Sequence, residues 1–82
     1  MKKKVFNDVT DILEFLFASY SGDFYGSTEL SNELGADSLD RLYILEELEK
    51  RYSIHIEDSE MNKCRTIDDI VELVMTKIDA VQ

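Results

Sequence analysis

The sequence predicts an all-α fold: a small four-helix bundle of three main helices and one short one, with a long first loop. Three observations point there. The chain of 82 residues contains no proline. Apolar residues recur at spacings of three and four, the mark of one buried helix face. Runs of β-branched residues are few, and five extended residues (53–57) have no visible partner strand. The length fits a single domain, 1–82. A domain this small buries only about 60% of its unfolded surface, which leaves room for a modest core and little for an enclosed catalytic chamber.

Each element has its own warrant. Over residues 4–20, Val5, Val9, Ile12, Leu13, Leu16, Phe17 and Tyr20 form one stripe, with Phe6 and Phe15 off it. Ser21 and Gly22 are expected to end this helix. Residues 21–36 hold all three glycines, and so long a loop needs tying down. Phe24, Leu30 and Leu34 are suited to that, with a helical turn at 28–33. The second helix is placed at 38–52, with Leu42, Ile44, Leu45, Leu48 and Tyr52 inward and Glu46, Glu47, Glu49 and Lys50 outward. Asp37 is a good N-cap, and Asp40 falls where negative charge meets the positive end of the helix dipole. A connector follows, with Ile54 or Ile56 inward, then a short helix at 58–63. The last helix begins at Thr66, where Thr66 and Asp69 resemble a capping box, and buries Ile67, Ile70, Val71, Val74 and Ile78.

Charge narrows the partners. The net charge is -9, and residues 21–60 carry most of it, with eleven acids against Arg41, Lys50 and Arg51. Such a surface repels nucleic acid and anionic lipid and attracts basic partner patches. No apolar run approaches the roughly 20 residues that span a bilayer. Lys2, Lys3 and Lys4 are followed by acids rather than the apolar core of a secretory signal. With one cysteine, Cys64, no internal disulfide forms. A cytoplasmic, monomeric protein without membrane insertion is expected. Metal is not: zinc needs about four Cys or His ligands, and the chain has only His55 and Cys64. The acids lack the spacing of a calcium loop. Ser38 has no base to make it a nucleophile, so no enzyme activity is expected.

The informative stretch is Leu34-Gly35-Ala36-Asp37-Ser38-Leu39-Asp40. Gly35 permits a turn that a side chain would hinder. Ser38 then opens a helix, where an anion attached to its hydroxyl meets the positive dipole end. Taken alone, Asp-Ser-x-Asp is an ordinary helix cap. The whole string closely resembles the phosphopantetheine attachment motif of acyl carrier proteins. The order of long helix, long loop, serine-led helix, short helix and final helix is similar to that family over nearly the whole chain.

The resemblance implies several things. A phosphopantetheinyl transferase, using Mg2+, would move a 4'-phosphopantetheine arm from coenzyme A onto Ser38. The arm would carry acyl groups as thioesters for fatty-acid or related lipid or polyketide biosynthesis. Acyl-processing enzymes with basic docking patches would read the second helix through Asp37, Leu39, Asp40, Arg41, Leu42, Tyr43, Glu46, Glu47 and Glu49. The acyl chain would be sheltered by Leu42, Ile44, Leu45, Leu48, Ile56, Cys64, Val71 and Val74. Arg41, Tyr43 and Glu46 depart from the pattern of common fatty-acid carriers, as do Lys50, Arg51, His55 and Glu57. These departures suggest a specialised carrier with its own partner enzymes. A peptidyl or aminoacyl carrier, and an unmodified acidic interaction subunit, are the alternatives.

Overall fold

A computed structural model describes residues 1–80 as four helices: α1 (Lys2–Leu16), α2 (Ser38–Tyr52), α3 (Asp58–Asn62) and α4 (Ile67–Ala80). The described residues contain no strand beyond an isolated antiparallel bridge, Glu29 to Thr66. The expected all-helical bundle with one short helix is therefore the observed one.

The core follows from the stripes. Val5, Val9, Ile12 and Leu13 of α1 meet Ile67, Ile70, Val71, Val74 and Ile78 of α4, all buried. Ile44, Leu45 and Leu48 of α2 complete the interior. Full burial of such side chains contributes about 1.5–3 kcal/mol each relative to exposure. Ile54 and Ile56 both turn inward, so alternation in the connector produces anchors rather than a strand.

The boundary that differs most from expectation is the end of the first helix. The aromatic stripe predicted a first helix to Tyr20, yet α1 stops at Leu16. Phe17 still donates its N–H to the Leu13 carbonyl at 2.8 Å, but leaves the helix at φ -117, ψ 50. A tight turn, Tyr20 N–H to Phe17 carbonyl at 2.9 Å, then brings Tyr20 against Phe24, ring centroids 5.5 Å apart. The stripe continues in space although the helix does not.

The first loop is fastened at both sides. Leu30 donates its N–H to the Arg65 carbonyl (2.9 Å), and Ile67 to the Thr28 carbonyl (3.1 Å). Glu33 and Gly35 donate four residues back, to Glu29 and Ser31, which makes the expected helical turn. Leu30 is fully buried, while Phe24 and Leu34 pack against the core from its edge. Gly35 leaves that turn at φ +70, a conformation that other residues adopt only at a cost.

The far end of α2 is held to α1 by a polar latch. The Asp8 carboxylate accepts from Lys4 Nζ (2.9 Å), from Arg51 (3.5 Å) and from the Tyr52 hydroxyl. Lys4 also lies over the Tyr52 ring, 5.1 Å from its centroid. Burial pushes the Asp8 carboxyl up, but Tyr52, Lys4 and Arg51 together hold it below the ordinary carboxylate value.

Candidate functional site

The N-terminus of α2 is built by a reciprocal cap. Asp40 donates its N–H to Asp37 Oδ1 (2.9 Å), and Asp37 donates its N–H to Asp40 Oδ2 (3.1 Å). Both carboxylates of the motif are thereby occupied by backbone, and they fix the first turn on which Ser38 stands. Ser38 itself is exposed. The fold thus places a serine hydroxyl in water at the positive end of a 15-residue helix.

Beside Ser38 a cleft of about 200 Å3 runs between α2 and α3. Leu39, Leu42 and Leu45 line one wall, and Asp58, Met61 and Asn62 the other. Arg41 closes its flank. Leu39 is 75% exposed and Leu42 41% exposed, so the mouth is apolar and open. The floor is closed, since Leu45 is buried and Met61 is 1% exposed. A larger open groove of about 460 Å3 lies between α1 and the first loop, near Phe6, Phe17 and Phe24, and shares no residue with this cleft.

The structure sorts the residues expected to shelter a chain. Leu42 and Leu45 line the cleft. Ile44, Leu48, Ile56, Cys64, Val71 and Val74 instead lie in closed core with no wall on it. Ile44, Leu48, Val71 and Val74 are on inward helix stripes, and Ile56 and Cys64 are in the connector and the α3–α4 turn. Met61 was missed; its signal was one apolar residue in an otherwise polar short helix, and a flexible thioether suits an irregular gap. Burial pushes the Cys64 thiol up to about 11, with Asp69 adding to the rise and Arg41 opposing it, so it is not a ready nucleophile.

The residues expected to face partners also divide. Asp37, Ser38, Leu39, Leu42 and Glu46 are exposed along α2. Tyr43 is half-buried and stacks on Phe15 of α1, centroids 5.8 Å apart and 22° between planes. Phe15, 72% exposed, thus extends an apolar strip from Leu39 and Leu42 across to α1. Glu47 pairs with Lys50 at 3.0 Å. Two residues turn inward instead. Glu49 accepts the Ile56 N–H at 2.8 Å and steadies the connector. Arg41 donates through Nη1 to the carbonyls of Met61 (2.9 Å) and Cys64 (2.8 Å), and through Nη2 to Ser31 Oγ (3.2 Å). An arginine is drawn to such a junction because carbonyls at a helix end lack intrahelical donors.

Among the described residues, no group of three or more His, Cys, Asp or Glu side chains converges as a metal site needs, and no helix is long and apolar enough to cross a membrane.

The family model for the phosphopantetheine attachment site matches residues 21–74, which include the first loop, α2, α3 and most of α4. An acyl carrier protein of Exiguobacterium sp. is 27% identical over 77 residues, covering 94% of this chain and 98% of that one. An acyl carrier protein of the aster yellows witches'-broom phytoplasma is 30% identical over 67 residues, covering 82% and 88%. The crystal structure of an acyl carrier protein from Thermotoga maritima superposes with a TM-score of 0.83 at 23% identity, covering 99% of this chain and 94% of that one, and so shares its fold. The exposed Ser38 hydroxyl at a capped helix start is open to the group that this family bears, 4'-phosphopantetheine. The chain belongs to the acyl carrier protein family.

Proposed function

We propose that Ser38 bears the phosphopantetheine arm and that the chain, catalysing nothing itself, presents acyl groups to separate enzymes. The observation that carries this reading is the exposed Ser38 hydroxyl on a capped helix start, with an apolar-mouthed cleft alongside. When bound, the group supplies a terminal thiol for thioester formation. The remaining work belongs to this chain's own residues. The Asp37–Asp40 cap holds the Ser38 oxygen outward, at a dipole end that favours a phosphodiester. Leu42, Leu45 and Met61 offer apolar surface on which part of an acyl chain is withdrawn from water.

Docking falls on the outer face of α2. Leu39, Leu42 and the Phe15–Tyr43 pair form an apolar centre. Asp40, Glu46 and Glu47 surround Tyr43 at one-turn spacing, which suits an enzyme cleft edged with Lys and Arg. From 38 to 52 the net charge is only -1, with four acids against Arg41, Lys50 and Arg51. This dilute acidity supports a specialised carrier in fatty-acid or related lipid or polyketide synthesis, working as a monomer.

The test is intact mass after incubation with coenzyme A, Mg2+ and a broad-specificity transferase. One added phosphopantetheine on the wild type, and none on Ser38→Ala, is expected. An addition that survives Ser38→Ala would place the arm elsewhere. The holo-protein would then be offered to standard fatty-acid elongation enzymes; turnover as fast as with a housekeeping carrier would defeat the specialised role.

A further inference from the structure

The sequence puts an arginine three residues after Ser38, on the same side of α2. Its stem lines the cleft and its guanidinium leaves it, bonding the Met61 and Cys64 carbonyls and Ser31 Oγ. One side chain therefore joins the first loop, α2 and the α3–α4 junction. The Cys64 N–H also bonds the Met61 carbonyl, at 3.1 Å, so the segment that Arg41 grips is a closed turn. The planar fork of arginine can engage several acceptors at once, which a lysine ammonium does less well.

The cleft it flanks is small. Its volume is about 200 Å3. Its floor, Leu45 and Met61, is already packed. A longer chain needs α3 to move away from α2, and the bonds of Arg41 oppose this movement together with the packing of Met61 and the Lys77–Glu60 pair.

We propose that Arg41 is a positioning residue that latches α3 to α2 and thereby restricts the cleft to short acyl chains. The proposal rests on the reading of Ser38 as the attachment site. It assigns Arg41 a role inside the carrier rather than on its docking face. The latch has three strands of different weight: two charge-assisted bonds to main-chain carbonyls and a longer bond to an exposed serine hydroxyl.

Two readouts test it. On the unmodified protein, amide hydrogen exchange is compared between wild type and Arg41→Gln. Exchange in α3 is expected to quicken about tenfold or more, while α1 and α4 keep their wild-type rates. On protein loaded with saturated acyl groups of increasing length, thioester cleavage by hydroxylamine is timed. Wild type should protect short chains best and lose protection as the chain lengthens. Arg41→Gln should move the optimum to longer chains, and Arg41→Lys should restore it in part. Ser31→Ala, a change at an exposed side chain, should give a smaller shift in the same direction and serves if Arg41→Gln fails to fold. An unchanged length optimum in the folded variants, or unchanged α3 exchange, would overturn the latch. Failure of wild type to accept the arm would overturn the Ser38 reading instead, and the exchange comparison would still decide the latch.

Discussion

The α1–α4 half of the molecule and the α2–α3 half are held together by different forces. Between α1 and α4 the contact is apolar and closed: Val5, Val9, Leu13, Ile67, Ile70, Val71 and Val74 are fully buried. Between α2 and α3 there is a cleft of about 200 Å3, bridged at its side by Arg41 and preceded by a connector steadied by Glu49. Apolar packing is undirected and lost only when the whole face is exposed. A few polar bonds to backbone can break one at a time and re-form with water. The molecule thus has a half closed by apolar packing and a half closed partly by directional polar bonds, and Ser38 stands at the edge of the second.

The largest expected effect tests this contrast directly. Leu13→Ala leaves a cavity in the closed half and should cost about 2–5 kcal/mol. Leu42→Ala removes an equal number of atoms from the cleft mouth, where the side chain is 41% exposed, and should cost about 1 kcal/mol or less. Urea unfolding of the two variants measures both. Equal losses would mean that the halves do not differ as described.

Gly35→Ala should have the next largest effect. Nothing lies within 4 Å of the position that a Cβ would take, so crowding plays no part. The cost is that of the left-handed backbone at φ +70, about 1–2 kcal/mol. Because Gly35 ends the turn that delivers the chain to the Asp37 cap, the change should also slow arm transfer to Ser38 more than Leu13→Ala does at equal folded fraction. A loss below about 0.5 kcal/mol in thermal or urea unfolding would show that this turn relaxes freely.

Much of this was legible in the sequence where structure is local. The Asp37–Asp40 and Thr66–Asp69 caps span three residues each, and both form as their side chains predict. Asp69, though short, reaches the Thr66 N–H at 3.1 Å and the Arg65 N–H at 2.8 Å. What was not legible depends on residues distant in the chain. α1 ends at Leu16, short of Ser21 and Gly22, with Tyr20 brought against Phe24 and against the bare Cα of Gly22. The inward stripe of α2 says which residues are buried, but not that packing fails beside Leu45 and succeeds beside Ile44; that depends on where α3 lies. Arg41 reads as a surface charge because its carbonyl partners are twenty and more residues away.

The smallest effect concerns pH and sharpens the comparison most finely. His55 lies in the connector between α2 and α3, with Nε2 2.7 Å from Glu57 and Nδ1 3.2 Å from Glu49. Glu57 raises its pKa above the ordinary histidine value, against an opposing effect of desolvation, with Glu49 adding to the rise less strongly and Lys77 opposing it. Lys77 is itself paired with Glu60 at 2.9 Å, so the positive charge facing His55 is partly neutralised. A raised folded pKa means that the stabilisation is fully present below the unfolded value of about 6.5. It is lost as pH rises through the folded pKa. Since His55 is exposed, the effect on global stability should be small. It should nevertheless be local: between pH 6 and pH 8.5, the intrinsic-rate-corrected exchange of α3 amides should increase while that of α1 and α4 does not. Glu57→Gln should lower the His55 pKa in an NMR titration and weaken the pH response. If α1 and α4 respond as strongly as α3, the connector is not the boundary between a half closed by apolar packing and one closed partly by polar bonds.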